Sequence, residues 1–255
     1  MQLTTETLVY LTLGAFMGGF VNGFAGFGIA LFALGWWLQI MEPLEAVALT
    51  LVAGVVTGLP GLLVIWRRIE PRLLACFAVP ALFGIPVGTS LLAVVEADVL
   101  VALVAVMLLG YGAFFSLRAG LPALRGERPV ADATIGLASG VLGGMAGLSG
   151  VLPTIWLSLR APADGWDKGR TRGVLQPFNA LILLSAALAV AWRGGYTATT
   201  GTHLLWGLPG MAAGVIVGIA LYRWSDDRMF RRALIWLMLL SGLALLAQLL
   251  TRSTA

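Results

Sequence analysis

Long stretches of apolar and small residues dominate the chain, and short charged segments separate them. Eight stretches contain no Asp, Glu, Lys or Arg: 7–41, 46–66, 73–95, 99–117, 133–159, 173–192, 194–222 and 233–251. Most are close to the ~20 residues that one helix needs to cross a bilayer. The pattern therefore predicts an all-α integral membrane protein.

Composition supports this fold class. Of the 255 residues, 59% are hydrophobic and only 11% are charged, whereas a soluble domain carries about 25% charged residues. The net charge of +4 comes from short basic clusters between apolar stretches, which indicate membrane topology rather than a nucleic-acid surface. Cys76 is the only cysteine, which excludes an internal disulfide and a zinc cage. We therefore expect the lipid bilayer as a partner, and neither nucleic acid, metal nor cofactor.

The two longest stretches contain similar flexible segments. Residues 22–28 read NGFAGFG, and residues 143–150 read GGMAGLSG. Further markers recur in the same order, such as Trp66 with Trp192 and Met107 with Met238. The order predicts an internal duplication, with a first membrane repeat at 1–118, a cytoplasmic linker at 119–132 and a second membrane repeat at 133–255.

The positive charges predict how the chain crosses the membrane. Cytoplasmic loops carry excess Lys and Arg, and the basic loops are 67–72, 118–128, 160–172 and 223–232. Both ends of stretch 133–159 then lie on the cytoplasmic side, although its 27 residues are too few for two spans, which need about 40. We predict a re-entrant pair of half-helices broken near the midplane.

The first repeat should behave in the same way, with an extracytoplasmic N-terminus and no cleaved signal peptide, since the first ten residues lack Lys and Arg. Each repeat would hold one re-entrant pair and three full spans. Three spans are an odd number, so the repeats would be inverted, as in many transporters. The alternative is that each of the two long stretches spans once as a kinked helix, which gives eight spans and parallel repeats.

The Gly-rich segment at 19–28, its copy at 143–150 and the duplicated layout together resemble the TauE/SafE sulfite exporter family. The resemblance covers nearly the whole chain. It implies a multi-pass carrier of the cell inner (plasma) membrane that exports a small sulfur-containing oxyanion, sulfite or an organosulfonate, by alternating access. It also implies that the protein is not an enzyme. Members differ in substrate, so the resemblance leaves the anion open.

Broken helices provide candidate contacts for such an anion, because a helix N-terminus offers free N–H groups and a positive dipole end. In the second repeat we predict Ser149 as the N-cap of the returning helix. The predicted substrate-binding residues at the two breaks are Asn22, Gly23, Gly26 and Gly28 in the first repeat and Gly144, Gly147, Ser149 and Gly150 in the second. The competing interpretation of the glycines is close helix packing.

Polar residues inside the spans are further candidates. Gln176 and Asn179 are three residues apart and share a helix face, and Thr50 is the matching position of the first repeat. We predict that they contact the anion or line its path; the alternative is interhelical hydrogen bonding. Arg172 could attract anions at the cytoplasmic mouth or serve as a topology signal. His203, the only histidine, could be a gating or proton site or a structural interfacial residue.

The central parts of the apolar stretches contain no Asp or Glu. A proton-coupled carrier usually holds a carboxylate there, so we predict passive export driven by the membrane potential. Two other functions stay open. Residues 147–150 read GLSG, the GxSG pattern of rhomboid-type intramembrane proteases, with His203 as the partner of Ser149; and a passive anion channel would have similar spans. The sequence leaves open whether the protein forms a homodimer.

Overall fold

A computed structural model describes residues 4–117, 124, 126–160 and 167–253, and within these ranges the chain is helical and has no strand. The helices are α1 (Thr5–Ala25), α2 (Gly35–Trp37), α3 (Pro43–Ile65), α4 (Pro71–Leu92), α5 (Ala97–Leu117), α6 (Pro129–Ala146), α7 (Val151–Arg160), α8 (Lys168–Trp192), α9 (Ala198–Trp224) and α10 (Asp227–Ser253). Seven are long and apolar enough to cross a membrane. The prediction of an all-α integral membrane protein is confirmed.

The helix ends follow local sequence signals. Asp167 accepts a hydrogen bond from the backbone N–H of Arg170 at 2.6 Å and caps α8. Gly26 and Gly147 end α1 and α6 with φ angles of 84° and 71°, left-handed values that glycine adopts without steric cost. Proline occupies the first turn of three helices, at Pro43, Pro71 and Pro129.

Each glycine break turns the chain back along the helix it has just left. After α1, a π-helical turn (Ala30–Leu34) and α2 form a first return arm, and its Trp37 Nε1 donates to the carbonyl oxygen of Leu11 at 3.3 Å. After α6, α7 forms the second return arm, and Arg160 at its end pairs with Asp132 at 3.1 Å near the start of α6. Both ends of each hairpin therefore lie at the same face of the protein.

The long arms of the two hairpins differ from the half-helices that we predict from the sequence. At 1.5 Å per residue, α1 is about 31 Å long and α6 about 27 Å. A helix of about 31 Å covers the hydrocarbon core of a bilayer, and α1 is among the seven candidate spans. The break after α1 therefore follows a helix of full spanning length rather than half of one.

Two opposite faces can be distinguished by their ion pairs. At one, the basic face, Arg68 pairs with Asp167 and Arg170 with Glu70, each at 2.6 Å. At the other, the opposite face, His203 lies 3.0 Å from Glu45. The predicted linker, 119–132, reaches the basic face, because Gly126 and Pro129 line a cavity there together with Glu70 and Arg170. Its last residues are helical, since α6 begins at Pro129. Residues 119–123 and 125 lie outside the described residues.

Each long helix before the linker makes its main contact with a helix that follows the linker. Helix α1 packs against α9, and α6 packs against α4. In the same way α3 packs against α8, and α5 packs against α10. This reciprocal pattern is what a two-fold relation between similar halves would produce. The internal duplication stays a prediction, which the packing supports.

Glycines bring two of these helix pairs into backbone contact. A Cβ at Gly214 or Gly218 of α9 would overlap the carbonyl oxygen of Phe16 or Phe20 on α1. A Cβ at Gly140 of α6 would overlap that of Ala81 on α4. The paired residue numbers increase together, so the helices of each pair run parallel. Small residues of this kind allow close helix packing in a bilayer, where apolar burial gives no preference for protein over lipid.

Substitution at this glycine contact should destabilise the protein. We expect Gly140→Ala to lower the free energy of unfolding by about 1–3 kcal/mol, because the added methyl group must push α4 and α6 apart. The matched control is Gly110→Ala on α5, where a Cβ would meet no atom within 4 Å. Thermal unfolding in detergent should show a lower midpoint for Gly140→Ala alone. Equal midpoints for the two variants would contradict the packing.

Candidate functional site

A buried arginine lies where α1, α3, α8 and α9 meet. Arg172 is 1% exposed, and its Nη2 and Nη1 donate to the carbonyl oxygens of Gly23 at 2.8 Å and Phe24 at 3.3 Å. Its Nε donates to Gln176 Oε1 at 2.8 Å. The guanidinium carbon also lies 4.1 Å from the ring centroid of Tyr222, within the range of a cation–π interaction. We call Arg172, Gln176, Tyr222 and Asn22 the Arg172 cluster.

The charge of Arg172 has no carboxylate partner among the described residues. Its carbonyl partners instead belong to the last turn of α1, whose carbonyl groups lack intrahelical donors. The C-terminal end of a helix counts for about −0.5 charge, so it balances only about half of the guanidinium charge. Arg172 therefore caps α1 and still leaves a net positive charge inside the protein.

Two amide groups line a small space beside this cation. Asn22, 0% exposed, donates through Nδ2 to Thr57 Oγ1 at 2.7 Å and to the Gly54 carbonyl at 3.2 Å. Its Oδ1 has no hydrogen-bond partner among the described residues. Gln176 Nε2 donates to the Gly58 carbonyl at 2.9 Å. A Cβ at Gly58 would lie 3.7 Å from Asn22 Nδ2 and 4.0 Å from Gln176 Nε2, so a group of methyl size fits between the amides.

The second break forms a separate contact. Ser149 is fully buried, and its hydroxyl donates to Asn179 Oδ1 at 2.6 Å. The prediction that Ser149 is the N-cap is wrong: α7 begins at Val151, and the Gly150 carbonyl accepts the first helical bond, from Thr154 N at 3.1 Å. Ser149 therefore lies one position earlier, where its side chain is directed to α8.

The predicted glycines divide between conformation and packing. Gly26, Gly28 and Gly147 have positive φ angles, and a Cβ at Gly26 would lie 2.7 Å from Gln176 Oε1. Gly23 and Gly144 lie against other helices instead: a Cβ there would meet the Val215 carbonyl at 2.7 Å and the Ile85 carbonyl at 2.6 Å. For these two the packing interpretation explains the contacts.

Two more predicted contacts adjoin the second hairpin. A Cβ at Gly150 would lie 2.6 Å from Phe27 Cβ, so the two breaks touch each other. The Thr50 hydroxyl donates to the Ala46 carbonyl of its own helix at 2.7 Å, and its methyl carbon faces Gly147. Thr50 therefore presents an apolar group to the second break.

The histidine is separate from these clusters. His203 is 2% exposed and its Nδ1 lies 3.0 Å from Glu45 Oε1 at the opposite face. Ser149 hydrogen bonds to Asn179 instead. A serine protease requires hydrogen-bond reach between the nucleophile and its base, and the geometry of the described residues gives no such pair.

Sequence reasoning did not identify several polar partners. Tyr222 ends the stretch 194–222, and its contact with Arg172 depends on how α8 and α9 pack. Asp132 lies in the predicted linker, yet its side chain is buried, with 2% exposure. It accepts a hydrogen bond from Trp156 Nε1 at 2.6 Å and one from Arg160 Nη1 at 3.1 Å. Only the polarity of Asp132 at the start of an apolar stretch could have indicated this contact.

One ion pair of the basic face, Arg68–Asp167, contains a carboxyl group with a lowered pKa. Partial burial alone would raise the pKa of Asp167, but hydrogen bonds from the Arg170 backbone N–H and the Arg68 guanidinium outweigh it and hold that pKa below its usual value. A carboxylate with a lowered pKa loses its pairing energy only as the pH falls through that lowered value. The Arg68–Asp167 pair therefore stays charged at neutral pH.

Removal of the Ser149 hydroxyl tests the second break. We expect Ser149→Ala to lower the free energy of unfolding by about 1–3 kcal/mol, because a buried amide oxygen loses its donor. The control is Ser116→Ala, which should have little effect, because within the described part of the chain that hydroxyl bonds the Gly112 carbonyl of its own helix. Thermal unfolding of both variants measures the difference, and an unchanged midpoint for Ser149→Ala would argue against the bond.

A comparison with models of protein families identifies the family to which the chain belongs. The sequence model described as Sulfite exporter TauE/SafE matches residues 11–245. No curated protein and no solved structure matches the chain. The family match includes both breaks and every residue of the Arg172 cluster. The chain belongs to the TauE/SafE sulfite exporter family.

Proposed function

We propose that the protein exports a small sulfur-containing oxyanion, sulfite or an organosulfonate, and that the Arg172 cluster binds it. The observation that carries the proposal is the Arg172 guanidinium, which is 1% exposed and has no carboxylate partner in the described residues. Charged side chains inside membrane proteins are costly and usually mark a substrate or ion pathway. Family membership supports sulfur oxyanions as the class of substrate.

The donors of the cluster suit an oxyanion. A guanidinium has five N–H groups in a planar fork, and three of them are directed at Gln176 Oε1 and the two carbonyl groups of α1. The amide nitrogens of Gln176 and Asn22 border the space beside Gly58. Both N–H groups of Asn22 already bind Thr57 and Gly54. The donors left for an oxyanion are therefore the two remaining guanidinium N–H groups and the second N–H of Gln176 Nε2, and charge-assisted bonds to a guanidinium are strong.

The anion path would continue along α8. Asn179 lies three residues after Gln176, about 4.5 Å further along the helix axis, and it holds Ser149 of the second break. We propose that the anion moves from the Arg172 cluster to the Ser149–Asn179 pair as the two hairpins shift. Glycines Gly26, Gly147 and Gly150 would line this path.

Orientation and driving force follow from charge. We place the basic face in the cytoplasm of a cell with this protein in its inner membrane, by the positive-inside rule, and the N-terminus outside. An anion that leaves a negative-inside cell gains about 2.3 kcal/mol per charge per 100 mV. Potential-driven export by alternating access therefore needs no coupling ion. A passive channel would use the same gradient but would not saturate with substrate.

A carboxylate placed beside Arg172 inside the protein should strongly reduce export. In Gln176→Glu a carboxylate replaces the amide oxygen that lies 2.8 Å from Arg172 Nε, so the cation gains an internal partner and we expect at least a tenfold loss of labelled sulfonate efflux from proteoliposomes. The matched control is Gln39→Glu, which should transport normally, because among the described residues its amide bonds the Gly35 carbonyl near the opposite face.

A second substitution separates binding from folding. Gly58→Ala adds a methyl group at ordinary contact distance from both amides, and alanine favours the helix over glycine by about 1 kcal/mol. We expect unchanged or higher thermal stability together with reduced efflux. If Gln176→Glu and Gly58→Ala both transport like the wild type, the Arg172 cluster is not the anion site.

The membrane potential should determine how far export proceeds. For a monovalent sulfonate, about 100 mV corresponds to about 2.3 kcal/mol and thus to a concentration ratio of roughly fiftyfold at equilibrium. We expect the ratio across proteoliposomes to follow an imposed potassium diffusion potential and to ignore an imposed pH gradient. Accumulation that follows only the pH gradient would refute uncoupled export, and a rate that never saturates would favour a channel.

A further inference from the structure

The ion pairs that join the parts before and after the linker differ in chemistry between the two faces. At the basic face, Arg68 and Glu70 pair with Asp167 and Arg170, and arginine stays charged at any physiological pH. At the opposite face, Glu45 in the first turn of α3 pairs with His203 of α9. Histidine is the side chain whose charge ordinarily changes between about pH 5 and 8. Among the ion pairs that the described residues form across the linker, His203–Glu45 is the one that contains such a side chain.

The geometry defines which ring nitrogen would take up the proton. A carboxylate only accepts hydrogen bonds, so Nδ1 of a neutral His203 carries the hydrogen that it shares with Glu45 Oε1 at 3.0 Å. The lone pair is then on Nε2, which is buried and has no hydrogen-bond partner among the described residues. A buried polar atom without a partner is rare in native proteins and calls for an explanation.

We propose that His203 and Glu45 form a proton-binding site that locks α3 to α9 at the opposite face when His203 Nε2 takes up a proton. The Glu45 carboxylate already makes this a charge-assisted hydrogen bond, and protonation turns it into an ion pair between two full charges. That added attraction has to outweigh the cost of burying an Nε2–H group without an acceptor. Helix α3 packs against α8, and α9 packs against α1. The bond therefore joins two helix pairs that an opening of the opposite face would have to move apart. Protons on that side therefore favour the closed state.

Other ionisable groups near this end do not replace the pair. Helix α9 packs against α1 and α3, whose ionisable residues at this end are Glu6, Tyr10 and Glu42 in addition to Glu45. The described residues show no hydrogen bond between His203 and any of these three. Tyr196, just before α9, stays neutral because burial raises its pKa to about 12.

The effect of the lock on anion efflux rests on the proposed function, whereas the lock itself does not depend on any substrate. A proton bound at a gate alters how often the opposite face opens, whereas the potential still sets the final anion ratio. We therefore expect acid on the extracytoplasmic side to slow sulfonate efflux without changing its end point.

The lock can be measured without any substrate by hydrogen–deuterium exchange of the protein in lipid nanodiscs. Between about pH 8 and about pH 5.5, protection factors at the starts of α3 and α9 should rise about three- to tenfold in the wild type. Glu45→Gln and His203→Gln should remove this rise. The matched control Glu42→Gln removes an exposed carboxylate three residues from Glu45 and should keep it.

Two readouts separate the lock from the exporter. Equal wild-type protection at both pH values, or a rise that survives Glu45→Gln, would overturn the proton-binding site even if efflux is normal. Sulfonate efflux serves as the second readout because sulfonates stay ionised over this range. A pH-dependent lock in a protein that moves no anion would leave the lock standing and would refute the proposed function instead.

Discussion

Backbone contact between glycine-lined helices is the constraint on which the rest of this structure depends. Lipid tails are as apolar as leucine, so helices in a bilayer gain no hydrophobic energy from association and rely on close packing. Here the contact joins α1 to α9 and α6 to α4, with glycine backbone against carbonyl oxygens such as that of Ala81. Each hairpin is thereby held by a helix from the other side of the linker, so the contact ties the two parts together.

The glycine contact also determines where the charged groups can be. With α1 held against α9, the last turn of α1 ends beside α8, where its free carbonyl groups need donors. Arg172 supplies them. Hydrogen bonding to a helix end satisfies a guanidinium but neutralises it only in part. A structural cap and an anion site are therefore two uses of the same side chain, and the uncompensated charge distinguishes this arginine from the paired arginines of the basic face.

Some of the candidate site could be predicted from residue type and spacing, and some could not. Asn22, Gln176 and Asn179 stood out because amides inside apolar stretches need polar partners, and the structure finds those partners in neighbouring helices. The N-cap prediction for Ser149 failed because α7 begins one residue later than a Ser149 cap requires, and the serine hydroxyl donates to Asn179 of α8. The burial of Asp132 could not be predicted, because its partner Arg160 lies at the end of α7 and reaches Asp132 only when the second hairpin forms.

The sequence by itself determined the membrane class, the positions of the spans, the two breaks and the clusters of basic residues, since length, hydropathy and glycine content act locally along the chain. Only the tertiary structure decided what each polar group faces. Arg172 could have been a surface topology signal like Arg67, and His203 could have faced lipid headgroups. Their burial beside α1 and Glu45 depends on which helices are neighbours, and that is decided by contacts between residues far apart in the chain.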